Sequence, residues 1–150
     1  MPTITLETAI AASVERCFDL ARDVDLHRGS MEGTRETAVA GVTRGLIGAG
    51  DTVTWEATHF GVRQRLTVVI TAFDPPRRFV DEMTRGAFQS LHHQHDFEPT
   101  ATGTLMRDTF AFVSPLGVLG RLADALFLER YMRNLLARRN AYLKAVAERS

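Results

Sequence analysis

The long central segment of the sequence, in which hydrophobicity repeats every two residues, constrains the fold most. Between Thr34 and Val113, apolar and polar residues alternate almost without interruption, which is typical of β-strands with one buried face. Turns rich in glycine and proline divide the segment into strands predicted at residues 35–41, 51–60, 62–73, 78–84, 88–97 and 104–113. Because parallel strands need longer crossover connections, turns this short predict an antiparallel meander.

Helical patterns flank these strands on both sides. Residues 3–10 alternate like one more strand, and Ser13 is a plausible N-cap for an amphipathic helix whose apolar stripe includes Cys17 and Phe18. Residues 23–30 predict a second short helical segment. After Ser114-Pro115, an N-cap followed by a first-turn proline, the pattern predicts a single long helix. Its predicted apolar arc comprises Leu122, Ala125, Leu126, Met132, Leu135, Leu136, Leu143 and Val146, and its polar side comprises Arg130, Arg133, Asn134, Asn140, Lys144 and Glu148.

This order of elements predicts an α+β fold. A long helix with one apolar face must bury that face, and one face of the sheet is the only large surface available. Seven strands tend to twist and curl, so we expect a curved antiparallel sheet wrapped around the C-terminal helix. A curved sheet cannot contact a straight helix everywhere, and the gap predicts a cavity. Residues 1–150 are expected to form one ligand-binding domain.

Composition excludes several classes of function. Eighteen basic and eighteen acidic side chains give a formal net charge of zero. That balance argues against nucleic-acid binding by bulk phosphate neutralisation and against a polybasic membrane anchor. The single cysteine, Cys17, cannot form an internal disulfide and is expected to be a small buried hydrophobe.

The sequence also predicts a cytoplasmic protein that does not insert into membranes. Its first five residues lack the basic and apolar regions of a signal peptide. The most apolar stretch, Leu116 to Leu128, is too short to span a bilayer and contains Arg121 and Asp124. We expect a monomer or weak homodimer.

The order and spacing of the elements resemble the helix-grip fold of the START / Bet v 1-like (SRPBCC) superfamily over nearly the whole chain. More narrowly, the sequence is similar to the bacterial polyketide cyclase/dehydrase-like group. The resemblance implies a cavity that holds a small hydrophobic or aromatic ligand, or cyclase-type chemistry without a cofactor. The residues that carry it are Gly50-Asp51-x-Val53-Thr54-Trp55-x-Ala57-x-His59-Phe60-Gly61, Asp74-x-Pro76, Phe79-x-Asp81, Gly86-x-Phe88, His93-x-His95-x-Phe97, Gly103-Thr104, Asp108, Pro115-x-Gly117 and Arg139.

The more apolar face of each strand is assigned to the cavity. On the strand at 62–73, this face comprises Val62, Gln64, Leu66, Val68, Ile70 and Ala72. Several inward positions are polar, and burying ionisable groups is costly unless they are paired. We therefore expect these groups to satisfy one another or to meet a ligand. The predicted ligand-binding residues are Trp55, His59, Gln64, Leu66, Phe79, Asp81, Met83, Leu91, Phe97, Met106, Phe110 and Arg139.

The candidate catalytic residues are His93, His95 and Asp108. A symmetric hairpin with its turn centred near residues 100–101 places His93 opposite Asp108, and a slip of two residues places His95 there instead. In either register a histidine is a direct or diagonal neighbour of Asp108, with Cβ atoms roughly 4.5–8 Å apart. The group is either an acid/base or ligand-orienting cluster, or a satisfied polar network that fixes strand register.

Three further residues leave alternatives open. Arg139 falls within the apolar arc of the long helix, so it can reach Asp81 or Asp108, or bind an acidic ligand group. Trp55 is either a core residue or a stacking platform. His27 is predicted to lie at the surface, and the alternative is a position at the cavity mouth, which its segment borders in relatives of this fold.

We predict no metal site. His93-x-His95 together with His59 has the donor types of a catalytic zinc site. The meander, however, separates His59 from His93 by two strands, roughly 14 Å around the sheet.

Two functions fit these patterns. One is a carrier or sensor for a small, partly apolar molecule, and the other is a cofactor-free cyclase or dehydratase in which the His/Asp cluster moves protons. A protein-interaction domain fits less well, because the outward strand positions form no contiguous apolar patch.

Overall fold

The protein folds around one seven-stranded antiparallel sheet in the computed structural model, which describes residues 3–114 and 127–149. The strands are β1 (Thr3–Ile10), β2 (Thr37–Gly41), β3 (Thr52–His59), β4 (Val62–Asp74), β5 (Arg78–Arg85), β6 (Ser90–Thr100) and β7 (Gly103–Val113). The helices are α1 (Val14–Ala21), α2 (Val24–Ser30) and α3 (Glu129–Ala147), with a 3₁₀ turn at Glu32–Thr34.

Strand order confirms the predicted meander. The sheet runs β1-β7-β6-β5-β4-β3-β2, so β2 to β7 follow one another as hairpins and β1 closes against β7. The curved antiparallel sheet with a long C-terminal helix is the predicted helix-grip architecture. Among the described residues, no helix is long and apolar enough to cross a membrane.

The two short helices begin at side-chain caps. The Ser13 hydroxyl accepts a hydrogen bond from the backbone N–H of Arg16, and the Asp23 carboxylate accepts from two backbone N–H groups of α2. Helix α1 buries Cys17 and Phe18 in a core cluster that also contains Phe79 and Phe97. The prediction that Cys17 is buried is confirmed, because its exposure is 0%.

Helix α3 lies against the sheet through one face, as predicted. Its buried residues include Leu135, Leu136 and Leu143. Asn140, predicted on the polar side, is instead buried at 3% exposure, because it bonds a buried carboxylate described below. Residues 115–126, which contain the predicted first turns of this helix, lie outside the described residues.

Strand β4 departs from the strict alternation of its sequence. Its register against β5 shifts between Ile70 and Ala72, which indicates an irregularity of the β-bulge type. The prediction that Ala72 faces inward is therefore wrong. Ala72 is exposed, and Phe73 packs beside Phe18 with ring centroids 5.5 Å apart. Val62, also predicted inward, is 56% exposed because it follows the hairpin tip at Gly61.

Candidate functional site

A cavity of about 350 Å³ lies between the inner face of the sheet, α2 and α3. Its wall is mainly apolar and aromatic, with polar groups contributed by several strands and by α3. Most of the predicted ligand-binding residues line it. They are Trp55, His59, Gln64, Leu66, Phe79, Asp81, Leu91, Phe110 and Arg139, together with His93 and His95 of the catalytic prediction.

Four predicted site residues lie outside the cavity wall. Phe97 and Met106 are buried in the core cluster beneath α1, and Met83 packs with a second cluster that contains Leu91. Asp108 is 0% exposed and contacts the two cavity histidines without lining the cavity itself. Any influence of Asp108 on the cavity therefore passes through these two histidines.

The hairpin of β6 and β7 places His95 directly opposite Asp108, and His93 opposite Phe110. This is the register displaced by two residues from the symmetric prediction. The strands extend through Pro99, which the sequence assigned to the turn, so Thr100 pairs with Gly103 across a two-residue connection. Because a slip of two preserves side-chain direction, the predicted convergence of histidines on Asp108 is confirmed.

Asp108 is the hub of a buried polar network. Its Oδ1 accepts a hydrogen bond from Nε2 of His93 at 2.8 Å and from Nη1 of Arg139 at 3.1 Å. Its Oδ2 accepts from the amide of Asn140 at 2.8 Å, and Nδ1 of His95 lies 3.4 Å from Oδ1. Arg139 thus makes the pairing with Asp108 that was one of its sequence alternatives. The arginine side chain is only 3% exposed.

His95 connects this hub to a second carboxylate. Its Nε2 lies 2.8 Å from Oδ2 of Asp81, whose side chain is 18% exposed. The His95 ring stacks between His93, with centroids 3.8 Å apart, and Phe79, with centroids 4.1 Å apart. Both ring nitrogens of His95 are engaged, because Nδ1 also faces Nη2 of Arg139 at 3.3 Å.

The two histidines have opposite pKa shifts. Burial lowers the pKa of His93 to about 4, with the charge of His95 acting in the same direction against the Asp108 hydrogen bond. Burial also acts to lower the pKa of His95, but its hydrogen bonds to Asp108 and Asp81 outweigh burial and raise it. At neutral pH the arrangement therefore pairs a neutral His93 with a His95 that retains its proton more readily than a free histidine.

Both carboxyls are held in their ionised forms. Burial alone would raise the pKa of Asp108, but the Arg139 charge and the hydrogen bonds from His93 and His95 hold it well below its usual range. Asp81 follows the same pattern: burial opposes ionisation, and the hydrogen bond and charge of His95 lower its pKa. These directions agree with the sequence prediction that a carboxylate would keep one histidine protonated.

A possible metal-ligand set differs from the one that the sequence suggested. Among the described residues, Asp81, His93 and His95 each place one ligand atom within 4.8 Å of the others. His59 is not in this group, and its Nδ1 lies 2.7 Å from the Tyr131 hydroxyl. The Arg139 guanidinium beside His95 repels a further cation, and Asp81 already bonds His95.

Sequence reasoning missed a second polar group in the cavity wall. His27, predicted at the surface, has a side chain only 25% exposed; its Nε2 lies 2.6 Å from Oε1 of the buried Glu36. Its ring also packs against Trp55 in a tilted arrangement, with centroids 4.4 Å apart. Trp55 is buried and lines the cavity, so its placement in the core is confirmed, and its use as a stacking platform stays a prediction.

Tyr131 was also missed, although the sequence contained a signal for it. Tyr131, Leu135 and Arg139 are spaced four residues apart, which places them along one side of α3. All three line the cavity.

Residues 1–148 match the protein family described as polyketide cyclase / dehydrase and lipid transport. The chain belongs to this family. The match spans almost the whole sequence and confirms the resemblance derived from the residue pattern. No curated protein matches the sequence.

Solved structures of low sequence identity share the fold. TTHA0849 from Thermus thermophilus is 22% identical with a TM-score of 0.76, and the match covers 98% of this chain and 100% of that one. The di-domain ARO/CYC protein StfQ of the steffimycin biosynthetic pathway is 15% identical with a TM-score of 0.75, over 97% of this chain and 50% of StfQ. The major latex-like protein 151 of Panax ginseng is 13% identical with a TM-score of 0.73, over 99% and 98%.

The chemistry available to this family member is hydrogen bonding and proton transfer. Ionised Asp108 accepts a hydrogen bond from Nε2 of His93. That nitrogen therefore carries the ring proton, and Nδ1 keeps a lone pair. No described residue bonds this Nδ1. The cavity therefore combines apolar walls with an imidazole base and the carboxylate of Asp81.

Proposed function

We propose that this protein binds a small, partly apolar molecule in the cavity between the sheet and α3, as a carrier or sensor. One observation carries the proposal: the cavity has the size and character of a small-molecule site, with apolar walls and a few convergent polar groups. Family membership supports a ligand-binding or cyclase-type role in general.

The bonding within the polar network favours a carrier over an enzyme. Asp108 is satisfied by protein partners on both oxygens, and both nitrogens of His95 are engaged. Groups paired in this way remain stable without a ligand, so the empty protein stays folded and able to bind.

The single tryptophan provides a direct test. Trp55 lines the cavity, so its fluorescence should change when a panel of fatty acids, aromatic acids and ketones includes a ligand. Native mass spectrometry of the gently purified protein then establishes stoichiometry and detects any molecule carried through purification. If no member of the panel binds at micromolar concentration, the proposal is wrong.

A matched pair of variants locates the binding. Ala57 is buried and lines the cavity, whereas Thr52 is exposed on the same strand. Ala57→Phe should fill part of the cavity and weaken binding, and Thr52→Phe should leave binding unchanged. Equal affinities in the two variants would place the ligand elsewhere.

A second candidate, a cyclase or dehydratase, is favoured by the free lone pair of His93. His93 Nδ1 would take a proton from the carbon beside a ligand carbonyl, and the C–H electron pair would form the enolate double bond. In the dehydration of a β-hydroxy ketone, the enolate would re-form the carbonyl, and its double-bond electrons would form the α,β double bond as the C–O bond breaks. The protonated imidazole would give its proton to the departing hydroxyl group, which leaves as water. Hydrogen–deuterium exchange at the α-carbon of a bound ketone such as β-tetralone, measured by NMR, tests the first step. The protein should accelerate exchange above the buffer rate, and His93→Gln should abolish the acceleration.

A further inference from the structure

The polar end of the cavity is formed by Asp81, His93, His95 and Arg139. Its composition alone suggests either an acid-binding or a base-binding site, since it contains both cations and a carboxylate. The hydrogen-bond partners of each polar atom distinguish these two kinds of site.

The cations already face protein partners. Arg139 donates from Nη1 to Asp108, its Nη2 lies 3.3 Å from Nδ1 of His95, and its side chain is only 3% exposed. Nε2 of His95 lies 2.8 Å from Asp81. A guanidinium has five N–H donors, so Arg139 is not saturated, but a ligand carboxylate that reached it would also approach the ionised Asp81.

The acceptors, in contrast, retain capacity. Asp81 uses Oδ2 for His95, and among the described residues no group bonds its Oδ1. His93 uses Nε2 for Asp108, and its Nδ1 has no partner in that same part of the chain. Both side chains line the cavity.

The charged groups of this end are paired with one another. Asp81 and Asp108 contribute two negative charges, Arg139 contributes one positive charge, and hydrogen bonds to both carboxylates raise the pKa of His95. Charges that are already paired offer little net attraction to an ionic ligand, and burying such a ligand costs its hydration energy.

We infer that the cavity selects ligands whose buried head is a neutral hydroxyl group, a phenol or an enol, which donates a hydrogen bond to Asp81 or His93. This inference rests on the proposed function and names the ligand class. It also implies that carboxylic acids, which Arg139 suggested from sequence alone, are poor ligands.

Four naphthalenes that differ only in one substituent test the inference by calorimetry at pH 7: naphthol, methoxynaphthalene, naphthoate and naphthylmethylammonium. A hydrogen bond to a charged acceptor should make naphthol bind about tenfold more tightly than its methyl ether. Naphthoate and the ammonium compound should bind more weakly than naphthol. Tightest binding by either ion, or equal binding of naphthol and its ether, would overturn the inference.

The variant Asp81→Asn identifies the acceptor. It should bring the affinities of naphthol and the ether closer together, and the unchanged ether affinity serves as the control for folding. If this variant does not fold, the affinity ratio in the unaltered protein still decides the inference. Binding of none of the four compounds would instead contradict the proposed function, so the two failures are distinguishable.

Discussion

Replacing Asp108 with asparagine tests the buried network most directly. The side chain is fully buried and accepts hydrogen bonds from His93, Arg139 and Asn140. Asparagine keeps the shape and removes the negative charge, which leaves the Arg139 cation without its carboxylate. Breaking a buried ion pair on one side destabilises a protein by about 3–5 kcal/mol.

The loss of stability in Asp108→Asn should come from the missing negative charge more than from missing hydrogen bonds. The carbonyl oxygen of Asn140 is buried without a partner among the described residues. If Asn140 rotated its amide by half a turn, that oxygen could accept from the new amide at position 108. The new carbonyl could meanwhile still accept from His93 and Arg139, so the count of hydrogen bonds is preserved.

Urea unfolding at pH 7, followed by circular dichroism and by Trp55 fluorescence, measures the effect. The matched control is Asp96→Asn, which removes a carboxylate that bonds the half-exposed Arg78 at 2.6 Å. That partly exposed pair should be worth less than about 1 kcal/mol. If Asp108→Asn costs no more than the control, the network does not stabilise the fold as argued here.

The same variant has a spectroscopic signature. Loss of the Asp108 charge and hydrogen bond should lower the pKa of His95, which Asp81 alone would then support. Histidine titrations followed by NMR should show that shift. If every histidine titrates as before, the cluster does not exist as described, and the acid/base candidate loses its residues.

Three further predictions follow from burial and charge. A chain that ends before Leu135 should show no cooperative melting transition, because it loses the buried face of α3. If the truncated chain melted near the temperature of the full-length protein, this part of the helix would be dispensable for folding. The free energy of unfolding should be greatest near neutral pH. It should decline from about pH 6.5 down to about pH 4, because the lowered pKa of His93 resists protonation in the folded state. It should decline again as rising pH passes the raised pKa of His95. Urea titrations that give a flat profile on both sides of neutral pH would contradict this. His27→Ala should shift Trp55 emission to longer wavelength by removing the ring that packs against the indole, whereas His92→Ala should not. Identical spectra would show that the His27 ring does not shield the indole.

The parts predicted from sequence are those that depend on the direction of side chains. Alternation along β6 and β7 was enough to place His93, His95 and Asp108 on one face, and that result survives the two-residue error in register. Register itself depends on where the turn lies. Because proline is unfavourable in a strand, Pro99 was assigned to the turn, although it occupies an exposed position near the end of β6.

The parts that sequence could not predict depend on partners that are distant in the chain. Nothing local to β4 marks the irregularity after Ile70, which reversed the expected direction of Ala72. The polar character of Asn140 placed it at the surface, and only the position of Asp108, 32 residues away, accounts for its burial. His27 was misplaced because its ring packs against Trp55, 28 residues further along the chain.

The buried network couples the position of α3 to the chemistry of the cavity. Arg139 and Asn140 are consecutive residues of the helix, and each donates to a different oxygen of Asp108 on β7. This two-point attachment fixes both the rotation of α3 and its position along the sheet, which hydrophobic packing of Leu135 and Leu143 alone would leave less specific. The same carboxylate fixes the His93 tautomer that leaves Nδ1 with a lone pair. A change that loosens α3 should therefore alter the acceptor properties of the cavity, even where it touches no residue of the cavity wall.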